Sequence, residues 1–216
     1  MRKLVMLLIV ATSFATVAHA QNEAKAKAVL AEVSKKYKSY DAVSAKFKMT
    51  LSNAKAKLNE SQSGTLLAKA SANKYKVTMT NQELISDGKS QWVYLKKDNE
   101  VQVNTVDNSG DGLNPAQIFT IYEKGFKYGY VGTSKVNGKN VHVINLTPLD
   151  AKKAISKVTL NVDVLAKQIS KVVVNDKSGS VYTYSVESFT PNVKTTDASF
   201  IFDAKKYPGV EVVDLR

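Results

Sequence analysis

Between Asn22 and Lys38 the apolar residues Ala26, Val29, Leu30, Val33 and Tyr37 recur at the three-and-four spacing of one helical face, with lysines and glutamates opposite. This spacing predicts an amphipathic helix, with Asn22 as its cap. From Val43 the period drops to two: Val43, Ala45, Phe47, Met49 and Leu51 alternate with Ser44, Lys46, Lys48 and Thr50. That pattern predicts a strand with one dry and one wet face. The alternation returns at Tyr75, Val77 and Met79 and at Val101 and Val103. It is less clean where Val141, Val143 and Asn145 interleave with His142 and Ile144.

Turn chemistry separates these runs at Ser86-Asp87-Gly88-Lys89, Val136-Asn137-Gly138-Lys139 and Asp176-Lys177-Ser178-Gly179. Many antiparallel strands joined by short turns predict a sandwich or a barrel, and one polar face per strand favours a single curved layer around an interior. Alternation looks the same whether that interior is packed or hollow.

One segment breaks the series. Asn114-Pro115 has the form of a helix start, asparagine as cap and proline at the first helical position, and Gly125 is a natural stop. Ile118, Phe119, Ile121 and Tyr122 give the predicted helix, Pro115 to Lys124, an apolar face. A helix this short is marginal in water, so its order must come from docking, and we expect it to act as a lid. The preceding Asp107-Asn108-Ser109-Gly110-Asp111-Gly112 resembles the opening of a calcium loop, but Ile118 stands at the twelfth position, where a glutamate is required. No metal site is expected there.

The leader refines the picture. Met1, Arg2 and Lys3 form a positive head, Leu4 to Val17 carry no charge, and Ala18-His19-Ala20 is a small-x-small junction before Gln21. Residues 1–20 therefore read as a cleaved secretory signal and residues 21–216 as one domain. The apolar stretch is too short to span a bilayer comfortably. The chain has no cysteine, so there is no site for lipid attachment at the junction, no disulfide and no thiolate ligand or nucleophile. An exported protein free in the periplasm is the expectation.

The formal net charge is +12, and loss of Arg2 and Lys3 with the leader lowers it by two. The lysines are interleaved along strands instead of being clustered on one helix or loop, which argues against nucleic acid and leaves solvated strand faces or a weak attraction to anionic headgroups. His142 is the sole histidine outside the leader, no Gly-x-Ser-x-Gly elbow or glycine-rich phosphate loop occurs, and the carboxylates near turns show no pairing that marks acid and base. Neither an enzyme nor a cofactor is expected.

The motif string Val43-Ser44-Ala45-Lys46-Phe47, Gly64-Thr65-Leu66, Ile85-Ser86-Asp87-Gly88-Lys89-Ser90-Gln91-Trp92-Val93-Tyr94, Phe200-Ile201-Phe202 and Pro208-Gly209-Val210-Glu211-Val212-Val213-Asp214 resembles the LolA family of outer-membrane lipoprotein carriers, in order and spacing, from Asn22 to Asp214. The resemblance implies a mainly β (α+β) fold: an incomplete, strongly curved antiparallel barrel, an N-terminal helix and a lid helix over a hydrophobic cavity. It also implies a monomeric carrier that shields lipoprotein acyl chains between an inner-membrane releasing transporter and an outer-membrane acceptor. Each methylene kept from water is worth about 0.8 kcal/mol, so an unshielded anchor would not cross.

Carried over onto this sequence, Phe47, Met49, Tyr75, Val77, Trp92 and Tyr94 would line the cavity, and Ile118, Phe119, Ile121 and Tyr122 would close it. Two departures stand out. The family's Arg-Pro pair after the second strand is absent from Lys69-Ala70-Ser71-Ala72-Asn73, leaving Lys69 as the possible latch, and a common glutamine is replaced by Met49. Lysine is a point charge without arginine's planar fork. Competing readings are a lipid-binding or envelope-stress-sensing module on the same fold, and a glycan- or peptide-binding β-protein.

Overall fold

Alternation becomes strand pairing along nearly the whole chain. The computed structural model describes residues 21–106 and 119–216. The leader junction, the calcium-like loop, Asn114-Pro115 and Ile118 lie outside the described residues. Helix α1 spans residues 21–38. The strands are β1 (Val43–Asn53), β2 (Leu58–Lys69), β3 (Lys74–Met79), β4 (Gln82–Ser86), β5 (Ser90–Leu95), β6 (Glu100–Thr105), β7 (Phe126–Val136), β8 (Lys139–Pro148), β9 (Ile155–Asp163), β10 (Gln168–Asp176), β11 (Ser180–Pro191) and β12 (Glu211–Asp214). They form one open, curved sheet in the order β12-β6-β5-β4-β3-β2-β1-β11-β10-β9-β8-β7, not closed into a barrel. All pairs are antiparallel except β12 with β6.

Short turns enforce this order. Asn137 and Gly138 both take positive φ, 50° and 78°, the geometry that joins two right-twisted strands through two residues. Helix α1 lies on one sheet face and buries Ala26, Leu30, Val33 and Tyr37 in the main core, with Val29 packed at its edge. Asn22 is already helical, so it is not the cap.

The register decides which side chains share a face. On the helix side, Met49 pairs with Tyr184, Tyr184 with Val172, Val172 with Leu160, Leu160 with Ile144 and Ile144 with Tyr130. This continuous apolar row crosses six strands. In β8 the inward residues are His142, Ile144 and Leu146, not Val143 and Asn145, because Ile144 and Leu146 pair with the buried Leu160 and Val158.

The dry side changes on the other wing. Gln91, Gln102 and Asn104 occupy the helix side of β5 and β6, whereas Trp92, Tyr94, Val101 and Val103 point to the opposite side. β4 is the crossover strand: Leu84 faces the helix side and the buried Ile85 the other. A second apolar layer therefore forms beneath the C-terminal segment, where Phe200 is fully buried.

Candidate functional site

Beyond the part of the main core that α1 covers, the helix side carries half-buried apolar side chains: Phe47, Met49, Met79, Leu84, Tyr184 and Val186. Phe47 pairs with Gly64 on β2 and Val186 on β11, and Gly64 pairs with Met79 on β3. Gly64 has a steric function here. A Cβ at this position would lie 2.6 Å from the tip of the Phe47 ring and 3.1 Å from Met79, so only glycine lets the ring lie across β2. The Phe47 and Tyr184 rings are 6.4 Å apart, a tilted pair on neighbouring strands.

Tyr75 and Val77 belong to the same face but lie deeper. Val77 pairs with Leu66 and Leu84, and Tyr75 with Ala68 and Ser86. The Tyr75 hydroxyl accepts a hydrogen bond from Gln91 Nε2 at 2.5 Å, and burial pushes its pKa up. These two residues form the floor, with Phe47 and Met49 at its half-buried margin.

Trp92 and Tyr94 correct the sequence expectation. Trp92 pairs with Ile85 and Tyr94 with Glu83, residues whose side chains lie opposite to those of Leu84 and Ser86. The resemblance assigned them to the lining, but the dry face has changed sides by β5. Tyr94 instead packs edge-on against Tyr207 at 4.6 Å and against Phe202 at 5.8 Å, both in the C-terminal segment. The Tyr207 hydroxyl donates to Glu83 at 3.1 Å, and burial together with that carboxylate raises its pKa to about 12. Lys76 lies 3.1 Å and Lys96 3.7 Å from Glu83, which balances the partly buried charge.

The segment expected as a lid helix is a turn followed by a single 3-10 turn, Ile121–Glu123, in its described part. Glu123 N bonds back to Thr120 O at 2.9 Å, and β7 begins at Phe126, leaving no length for an α-helix after Phe119. Phe119 and Tyr122 are nonetheless buried, and Ile121 packs against the main core. Phe119 sits 5.1 Å from Tyr37 on α1 and 5.5 Å, edge-on, from Phe189 on β11.

The same segment is tied to α1 by charge. Lys38 Nζ donates to Glu123 Oε2 at 2.8 Å, and the Ser34 hydroxyl donates to Glu123 Oε1. Burial alone would raise the Glu123 pKa, but the hydrogen bonds from Lys38 and Ser34 outweigh it and hold the carboxyl below its ordinary range. Lys69 has a different partner: it pairs with Asp41, 3.4 Å away in the link between α1 and β1. The tether between helix and segment is thus Ser34–Glu123–Lys38.

Between α1, Phe119, Phe189 and the β9–β10 turn lies a partly open pocket of about 10 Å³, room for at most about one water. Among the described residues, the space between α1, Phe119 and Phe189 is filled in this conformation. His142 faces this core, where its Nδ1 shares a hydrogen bond with the Tyr130 hydroxyl at 2.9 Å. No cluster of three metal-ligating side chains occurs among the described residues.

Sequence reasoning missed Met79, Leu84, Tyr184, Val186 and Phe189 as members of this surface. The alternation Tyr182, Tyr184, Val186 was readable. Phe189 was hidden by a bulge on β11, where Phe47 pairs with Val186 but Lys46 with Ser188, which resets the phase.

Residues 38–203 match the family model described as outer membrane lipoprotein carrier protein LolA. No curated protein sequence matches the chain. Among solved structures, an uncharacterized conserved protein from Thermus thermophilus is similar with a TM-score of 0.56 at 13% identity, covering 88% of this chain and 99% of that one. A LolA superfamily protein from Nitrosomonas europaea gives 0.47 at 14% identity over 82% and 98%, and the lipoprotein LppX from Mycobacterium tuberculosis 0.48 at 14% over 79% and 99%. At such identities the likeness to solved structures concerns the fold alone. The family match spans most of the chain, from the end of α1 to the C-terminal segment that covers Tyr94, and by it this chain belongs to the LolA family.

Proposed function

We propose that this protein is a periplasmic carrier that takes lipoprotein acyl chains onto the helix side of its sheet, between α1, the 119–125 segment and the Phe47–Met49–Tyr184 surface. The observation that carries the reading is the half-buried apolar surface that continues the core beyond α1. Residues left half-wet in an otherwise packed interior gain most from an apolar ligand, because each side chain of this kind contributes roughly 1.5 to 3 kcal/mol on full burial.

The packed space beneath α1 implies that uptake displaces the helix or the 119–125 segment, so cargo and Phe119 compete for the same core. Tyr75 and Val77 form the floor, Phe47 and Met49 the margin, and Phe119, Ile121 and Tyr122 the movable cover. A leader over residues 1–20, removed before Gln21, would deliver the domain to the periplasm. There it would receive lipoproteins from an inner-membrane releasing transporter and pass them to an outer-membrane acceptor. The reading assigns no catalytic role to any residue. Among the described residues no helix is long and apolar enough to cross a membrane.

An environment-sensitive acyl dye tests the site. It is expected to bind the native protein, and Phe47→Glu to abolish binding while far-UV circular dichroism stays native, because a carboxylate is tolerated at a half-wet margin but not beside an acyl chain. A native protein that ignores the dye, with Phe47→Glu simply unfolding, would show a packed core and end the carrier reading.

A further inference from the structure

The register brings several turns to one end of the sheet. Asn53, the last residue of β1, pairs with both Leu58 and Ser180; Asp176 at the end of β10 pairs with Ile155 at the start of β9; and Phe126 pairs with Pro148. The turns at residues 54–57, 149–154 and 177–179 therefore share that end. Their side chains have one chemical character. Lys55, Lys57, Lys127, Lys152, Lys157 and Lys177 are exposed there, and none of them forms a salt bridge among the described residues. At the start of the 149–154 turn Leu149 is 70% exposed, although its backbone is fixed by a 2.9 Å bond from its N–H to Gly125 O.

The nearby carboxylates are engaged within their own turns. Asp150 Oδ1 accepts from the Lys152 backbone N–H at 2.8 Å, and Asp176 Oδ1 accepts from the Ser180 N–H and the Ser178 hydroxyl at 2.7 Å each. Glu60 is exposed on β2, Glu23 on α1 pairs with Lys27 and lies within electrostatic reach of Lys127, and the register puts the β5–β6 turn with Asp98 and Glu100 at the same end of the sheet. At the opposite end Asp41 lies beside Lys69 and Glu32 beside Lys167, while Lys89 and Lys135 are exposed there without a salt bridge among the described residues.

We propose that this lysine-lined end, with the exposed Leu149 among its turns, docks onto an anionic phospholipid bilayer. Charge complementarity selects the occupant: ammonium groups on flexible stems meet lipid phosphates, while one exposed leucine held on a fixed turn enters the interfacial layer. A polyanion in solution would use the lysines but leave Leu149 without a purpose. The lysines of this end lie outside the Phe47 surface, and Leu149 meets the acyl-binding site only through its backbone bond to Gly125 O.

Vesicle flotation of the purified protein tests it, with phosphatidylglycerol-containing vesicles against pure phosphatidylcholine at low salt. Binding is expected to the anionic vesicles alone. The triple variant Lys55→Gln, Lys57→Gln, Lys152→Gln should weaken it about a hundredfold, since each lysine near such a surface is worth about a factor of five. A control with the same charge loss elsewhere, Lys89→Gln, Lys135→Gln, Lys194→Gln, should keep most of the binding. Leu149→Ser should weaken it severalfold and leave its salt dependence intact. Thermal melts establish that the variants fold, and acyl-dye binding should survive in all of them. Equal losses in both triple variants would reduce the effect to net charge and overturn the proposal, as would unchanged binding by Leu149→Ser or no binding to anionic vesicles.

Discussion

Gly64 and Phe47 are a pair in which one residue's absence of a side chain defines the other's position. The hydrogen-for-methyl exchange Gly64→Ala would place a carbon 2.6 Å from the Phe47 ring, so the ring must swing off β2. Overpacking of this kind costs about 1 to 3 kcal/mol. We expect Gly64→Ala to lower the denaturant midpoint accordingly and to weaken acyl-dye binding, and Phe47→Leu in the same chain to recover part of the stability. The coupling energy of that double-mutant cycle is the readout; strictly additive losses would mean that the ring does not lie over Gly64. The same lesson applies to Trp92 and Tyr94. Their place in the family's motif string was plain in the sequence, but a motif gives position along the chain and not the side of the sheet. The side was set by the crossover at β4, where Leu84 and Ile85 are apolar in sequence yet belong to different cores.

At the scale of elements, α1 and the strands were legible because each carries its own period, 3.6 or 2, over many residues. The element that was misread is the one whose order comes from tertiary contacts. Asn114-Pro115 and Gly125 are valid punctuation, yet the described part between them is a 3-10 turn docked by Phe119 and Tyr122 and tethered by Glu123. No local signal joins Glu123 to Ser34 and Lys38, which lie 89 and 85 residues away.

This tether has a pH signature. Because the folded-state pKa of Glu123 is depressed below its ordinary 4.5, its contribution is present above that value and is lost as pH falls through the lower folded pKa. Amide exchange of residues 119–125 should therefore be unchanged from pH 7 to about 5, after correction for intrinsic rates, and rise in more acid solution. Glu123→Gln, which keeps a hydrogen-bond acceptor but loses the ion pair, should show faster exchange already at pH 7 and no further acid step. The pair is part-exposed, so the effect should be local, about 1 kcal/mol or less. An acid step that persists in Glu123→Gln would assign it to another group.

For the molecule as a whole, the sheet carries two apolar layers on opposite sides: one under α1 and the 119–125 segment, the other under the C-terminal segment with Phe200, Phe202 and Tyr207. The first has a half-wet margin and lies under the 119–125 segment; the second is strapped by parallel pairing of β12 with β6 and by the Tyr207–Glu83 bond. On the proposed carrier reading, the surface that would take cargo and the structural closure lie on opposite sides of the sheet. Trp92, the single tryptophan, lies on the strapped side, away from the proposed cargo. Quenching by a bromine-labelled acyl chain reads which side is occupied, since bromine quenches an indole at contact. The account predicts that a bound bromoacyl lipid leaves native Trp92 emission unquenched, while the Phe47→Trp, Trp92→Phe protein is strongly quenched at the same saturation. Quenching of Trp92 with none at position 47 would place the acyl chain on the other face and contradict the account.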